Sequence, residues 1–189
     1  MKYSSVALAA ALALATSTSA FTITFKNSCS YTVWPAIGKA PNGVPDTSVA
    51  YGTTLAPGAS ASYSIADTEI GIRAWGRTGC NSSGSSCATG GCNGGLVCTD
   101  AGITSDVILS EYGYANFGAQ YGGERISWDL SHVNAAINIG TLLTASDGAA
   151  QAHCTTASCP DDQAYSYATD YAADRNSALG TTFTHTFCG

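Results

Sequence analysis

Any chemistry in this chain has to come from its cysteines, histidines, a few carboxylates and one glycine-rich stretch, and the spacings exclude most of the options. Asp129, Ser131 and His132 offer the three members of an acyl-transfer triad. Packed within four residues of one strand-like run, their side chains alternate faces and cannot converge on one point. The glycines between Gly90 and Gly95 do not lead from a strand into a helix, so they make no phosphate cradle. Cys87-x4-Cys92, and Cys154-x4-Cys159 beside His153, have spacings that a structural zinc accepts. An even count of eight cysteines behind a leader points to disulfides instead, and no metal or cofactor is expected. Asn81-Ser82-Ser83 is an acceptor sequence for N-glycosylation in a loop. His185 alternates with threonines in a terminal run and is expected to face solvent. Glu111 and Asp129 stand in strand-like runs, where carboxylates taken alone read as solvated groups or caps for neighbouring loops.

The elements that must position these residues are β-strands. Apolar and polar residues alternate over 21–25, 31–34, 60–65, 70–75, 107–114, 125–130 and 183–187, and 135–143 is more continuously apolar. Pro41-Asn42-Gly43, Pro57-Gly58 and Asp147-Gly148 supply turns between them. Many short strands with such punctuation indicate an all-β sandwich or barrel. The only helix signal is a weak one over 159–174. Trp34, Trp75 and Trp128 fall inside strand runs and are assigned to the core. Cys80 to Cys98 differs in kind: it is rich in Gly and Ser, holds four cysteines and lacks apolar periodicity, so it must be tied down covalently.

Residues 1–20 have the layout of a secretory signal. Lys2 gives the positive start, 6–15 is an apolar run too short to span a bilayer, and Thr18 and Ala20 place small residues before a cut at Phe21. One secreted, extracellular domain over 21–189 is expected, as a monomer. Thirteen acidic residues against seven basic ones give a formal net charge of −6. That balance disfavours nucleic acid and anionic membranes, whose binding rests on clustered Lys and Arg, and suits neutral or cationic partners.

Several ordered stretches resemble the thaumatin-like family in its small form. They are 27–35 (NSCSYTVWP), 73–80 (RAWGRTGC), 87–98 with Cys87, Cys92 and Cys98, 109–112 (LSEY), 128–131 (WDLS), 159–161 (CPD) and 186–188 (TFC). Gly91 stands where the family usually has Asp. The resemblance implies a thaumatin-like β-sandwich or flattened barrel with disulfide-clipped loops. It also implies the pairs Cys29–Cys188, Cys80–Cys87, Cys92–Cys98 and Cys154–Cys159. A fifth pair of the small form would fall near Ser146 and Ala178 and is missing.

The resemblance further implies an acidic cleft that binds, and in some members slowly hydrolyses, β-1,3-glucan. Glu111 matches the family's cleft glutamate and Asp129 its first cleft aspartate. Asn134 replaces a second aspartate, and Thr104 stands at the position assigned to the cleft arginine. Glu111 and Asp129 are therefore the candidate catalytic pair, with Glu111 as the acid and its proton affinity raised by burial and by the neighbouring charge. Asn134 is a candidate for bonding a sugar hydroxyl, and Tyr112, Tyr114, Phe117 and Tyr121 are candidate platforms for sugar faces. The expected partner is β-1,3-glucan or another wall polysaccharide, bound in an antifungal, defensive role. The alternatives are a weak endo-β-1,3-glucanase and an inhibitor of a secreted glycanase.

Overall fold

The structure is a computed structural model that describes residues 19–148 and 150–189. Most of the expected signal segment lies outside the described residues. Ala20 is described and already pairs with Ala66, so a cut before Phe21 would trim the first strand by one residue.

Among the described residues, eleven strands form two sheets. In chain order they are β1 (Ala20–Asn27), β2 (Trp34–Lys39), β3 (Asp46–Gly52), β4 (Ser60–Ala66), β5 (Ile72–Arg77), β6 (Leu109–Asn116), β7 (Glu124–Ser131), β8 (Thr141–Ala145), β9 (Ala152–Cys154), β10 (Arg175–Ala178) and β11 (Thr182–Phe187). One sheet runs β4-β1-β11-β8-β9 and the other β10-β7-β6-β5-β2-β3. The first and last strands, β1 and β11, are parallel neighbours at the centre of the five-stranded sheet. The alternation read in their sequences becomes a buried face: Phe21, Ile23 and Phe25 on β1, and Phe183 and Phe187 on β11, are inaccessible to solvent. They pack against Ile72, Ala74, Ile126, Trp128 and Leu130 of the facing sheet.

The same period places His185 with Phe183 and Phe187, so it is buried between the sheets and does not face solvent as expected. Trp128 sits in this core and its indole N–H donates to Ser177 Oγ at 2.9 Å. Trp75 is equally buried on the opposite face of its sheet, in a second cluster with Ala36, Cys98, Val107 and Leu109. Trp34 is only half-buried. Strands β3, β9 and β10 fall where no alternation is read, and 135–140 precedes β8 without joining it. The stretch 159–174 holds turns and one 3-10 turn at Tyr171–Ala173 in place of a longer helix.

The four disulfides are Cys29–Cys188, Cys80–Cys87, Cys92–Cys98 and Cys154–Cys159, the pairing implied by the resemblance. Where a fifth would lie, the Asp147 carboxylate accepts from Ser177 Oγ and the Ala178 N–H, and Ser146 Oγ accepts from the Thr182 N–H. Hydrogen bonds thus join the two segments that a bridge would have tied.

The glycine-rich cysteine loop is folded around one buried cation. The Arg77 guanidinium donates to the carbonyls of Trp34, Gly84, Gly95 and Leu96 at 2.7–3.1 Å. Desolvation lowers its pKa to about 10, leaving it charged at neutral pH. A loop with few apolar residues thereby acquires a rigid centre, and its far end, 100–107, is held over the outer face of β5 and β6. Gly102 is required there, because a Cβ would lie 2.6 Å from the Trp75 ring and its φ is +71°.

Candidate functional site

The outer face of the six-stranded sheet carries a row of three ionisable side chains. In the register Arg73 on β5 pairs with Glu111 on β6, and Glu111 pairs with Asp129 on β7. Directly paired residues point to the same face, with Cβ atoms about 4.5–5.5 Å apart. The register therefore makes the Glu111 and Asp129 carboxyl groups neighbours on one face, the side-by-side placement that a pair of carboxyls acting on one glycosidic bond requires. The row forms the floor of an open groove of about 480 Å³.

Its walls are loops fastened to one another. The 100–107 loop is held by the Asp100 carboxylate, which accepts from the Asn93 N–H, the Gly102 N–H and Thr104 Oγ1 at 2.7–3.0 Å. The 131–135 turn is tied to it where the Ala136 N–H donates to Asp106 O and the Ile108 N–H to Ala136 O. The third wall is 165–168, anchored to the end of β7 by Tyr165 N–H to Leu130 O and His132 N–H to Tyr165 O.

The two carboxylates on the floor have different surroundings. Glu111 Oε1 lies 3.6 Å from Arg73 Nε, so a counter-charge is beside it. Asp129 is more enclosed, and its Oδ1 has no solvent exposure and no hydrogen-bond partner among the described residues. Burial foremost, then the charges of Glu111 and Asp174, push its carboxyl well above the usual carboxylate range, with Arg175 opposing. Burial at the groove floor thus favours the protonated form of the Asp129 carboxyl. The sequence expectation gives the acid role to Glu111, whereas in the structure the more enclosed carboxyl is that of Asp129, and Glu111 is the one with the arginine beside it.

Asn134 lies in the groove wall at the tip of its turn, in a left-handed conformation with φ +53°. The expected tyrosines do not join it. Tyr112 points to the other face of β6 and is buried against Phe21 and Phe183, so it presents no ring to a ligand. Tyr114 donates its hydroxyl to Glu124 Oε1 and does not line the groove. Tyr121 and Phe117 are exposed but lie in the hairpin at the far end of β6 and β7 from Glu111 and Asp129. The aromatic residue that lines the groove is Tyr165. Asp106, exposed on the wall, adds a further carboxylate.

Thr104, which stands at the position assigned to the family's cleft arginine, lies in the 100–107 wall. It braces Asp100, and the arginine of the groove is Arg73. The atoms of Cys92, Cys98 and Asp100 cluster within 4.8 Å, but the two sulfurs are joined in a disulfide and are not thiolate ligands. Asn81 is exposed, and its side-chain oxygen accepts from the N–H and Oγ of Ser83 and the N–H of Ser85, leaving the amide nitrogen that sugar would modify uninvolved in those bonds.

Residues 27–163 match the thaumatin family. The chain is a member of it. Among thaumatin-like relatives, a thaumatin-like protein of Oryza sativa subsp. japonica is 36% identical over 159 residues, covering 82% of this chain and 78% of its own length. Thaumatin-like protein PWIR2 of Triticum aestivum is 34% identical over 173 residues, covering 90% and 89%. Thaumatin-like pathogenesis-related protein 4 of Avena sativa is 37% identical over 150 residues, covering 78% and 76%. Among solved structures, the thaumatin-like xylanase inhibitor TLXI superposes with a TM-score of 0.61 at 26% identity, over 88% of this chain and 99% of that one. With eight cysteines, the chain is consistent with the small form of the family.

Proposed function

We propose that this thaumatin-family protein acts outside the cell, binding β-1,3-glucan or a related neutral wall polysaccharide in the groove over Arg73, Glu111 and Asp129, as part of a defence response. The observation that carries this reading is the cross-strand row: three polar groups on rigid strands beneath an open trough, with Asn134 on its rim. A groove whose ionisable groups are mainly acidic repels polyanions and accepts neutral sugars, whose hydroxyls bond to carboxylates, amides and guanidinium alike. The extracellular setting fits four disulfides, and the defence role fits the pathogenesis-related name of the oat relative.

A specific observation favours weak hydrolysis as a second reading. Asp129, whose burial favours the protonated carboxyl, stands beside Glu111, which has a counter-charge. In that arrangement Asp129 gives its proton to the glycosidic oxygen as the bond to the anomeric carbon breaks. Glu111 either attacks that carbon or takes a proton from the water that does.

Incubation with insoluble β-1,3-glucan separates the readings. Binding predicts depletion of the protein from the supernatant, reduced in Glu111→Gln. Hydrolysis predicts, in addition, reducing ends that vanish in Asp129→Asn. If the wild type neither sediments with the glucan nor releases ends, the groove reading fails. Loss of a xylanase's activity on mixing would then move the assignment to glycanase inhibition, the property for which TLXI is named.

A further inference from the structure

The row of ionisable groups does not end the groove at Asp129. Past it, on the wall at 165–168, Tyr165 faces the groove, and the Tyr171 ring meets Tyr165 edge-on with centroids 6.4 Å apart. Tyr171 is 68% exposed. The Tyr165 hydroxyl donates to Asp174 Oδ1, and its backbone is bonded on both sides to the end of β7. Tyr171 opens a 3-10 turn whose Ala173 is buried, and Arg175 donates to Ala173 O and Asp162 O. Ser166 Oγ is within hydrogen-bond distance of both Asp161 and Asp170. These bonds fix the Tyr165 ring and the backbone that carries Tyr171, whose own ring rests edge-on against Tyr165 and is otherwise mostly uncovered, so that it offers aromatic area to a ligand.

The other end of the row differs. Past Arg73 the floor continues into a second hollow of about 340 Å³ that shares Arg73, Ile103 and Glu111 with the first and is lined by Ala40, Gly43 and Gly71. At Gly71 a side chain is forbidden: its φ is +67° and a Cβ would lie 2.7 Å from Pro41. The trough therefore crosses the strands from a small-residue end, over Arg73, Glu111 and Asp129, to an aromatic end.

Resting on the reading of the groove as a polysaccharide site, we infer that Tyr165 and Tyr171 form a sugar-stacking subsite at its Asp129 end. The ligand is then an internal stretch of an unbranched neutral chain laid across the strands, with one pyranose face on the Tyr171 ring. A short oligosaccharide fills the charged centre and does not reach the ring. A long one spans both.

The test is calorimetric titration of the full protein with β-1,3-linked gluco-oligosaccharides of two and six units. The wild type should bind the longer one more tightly. Tyr171→Ala, at an exposed position, should weaken binding of the hexamer by about tenfold and leave the dimer unchanged, while Tyr171→Phe, which keeps the ring, should restore the wild-type value. Hexamer binding unchanged in a folded Tyr171→Ala protein, with Glu111→Gln still impaired, overturns the aromatic subsite and leaves the groove reading intact. Equal losses for dimer and hexamer in Tyr171→Ala also overturn it. No binding of either sugar by the wild type removes the groove reading itself and the subsite with it.

Discussion

Strand β6 presents Ser110 to the inside of the molecule and Glu111 to the outside, and each meets a titratable partner from another strand. Inside, Ser110 Oγ lies 2.8 Å from His185 Nδ1 on β11, surrounded by Phe25 and Phe187. Outside, Glu111 stands beside Asp129 on β7. Burial acts on both partners and favours the uncharged form of each: it lowers the His185 pKa to about 3 and raises that of Asp129. The contrast is in access. His185 Nε2 is sealed in the core with no partner among the described residues, so the shifted proton affinity appears only as stability. Asp129 lines an open trough, where a held proton is within reach of a ligand. Desolvation alone therefore does not mark a functional group; desolvation at the floor of a groove does.

The largest effect that separates the two faces is a pH dependence of opposite sign. In the unfolded chain His185 titrates near the ordinary histidine value of 6.5, and in the folded protein near 3. Its contribution to stability is thus complete above pH 6.5 and is lost as the pH falls from there toward 3, by about 5 kcal/mol over the full window. Asp129 acts the other way, its raised affinity costing stability as the pH rises above 3.8. Urea unfolding midpoints between pH 7.5 and 4 should show a smaller loss on acidification in His185→Gln than in the wild type. An unchanged slope in the variant would contradict the buried, neutral histidine.

A smaller separation comes from neighbours on β7. Trp128→Ala, on the core side, should cost about 3–5 kcal/mol, seen as a lowered unfolding midpoint. Asp129→Asn, one residue on, should leave stability at neutral pH unchanged or raise it by up to about 1 kcal/mol while removing any hydrolysis. A large loss of stability in Asp129→Asn would mean that this carboxyl is structural. The smallest effect is that of Arg73→Gln. Its ion pair with Glu111 is partly exposed, so stability should fall by less than about 1 kcal/mol, and by less still in high salt. Glucan binding measured alongside should weaken, because Arg73 lies on the floor of the trough.

How much of this is legible in the sequence follows from the range of the interactions. The β class, the core faces of β1 and β11 and the disulfide-clipped loop can be read because alternation and cysteine content are local signals. His185 shares the period of Phe183 and Phe187, and an expectation that weighs its polarity above its position sends it to the wrong face. Tyr112 departs from its expected place through the same alternation, which turns it to the face opposite Glu111. Strands β9 and β10, of three and four residues, are too short to show a period. Arg73 and Tyr165 cannot be found by pattern at all. The first meets Glu111 through a register set across the whole cysteine loop, and the second reaches the groove by docking its backbone on the end of β7.

The central physical claim is that the carboxyl group of Asp129 is kept protonated in the groove while ordinary carboxylates are ionised. Carbon-13 NMR of the aspartate carboxyl carbons, followed from pH 3 to 8 and assigned with Asp129→Asn, measures it directly. The account predicts one aspartate that keeps the chemical shift of a protonated carboxyl well above pH 4 and whose signal is missing in the variant. An Asp129 signal that titrates near pH 4 or below, together with the exposed aspartates, would contradict it.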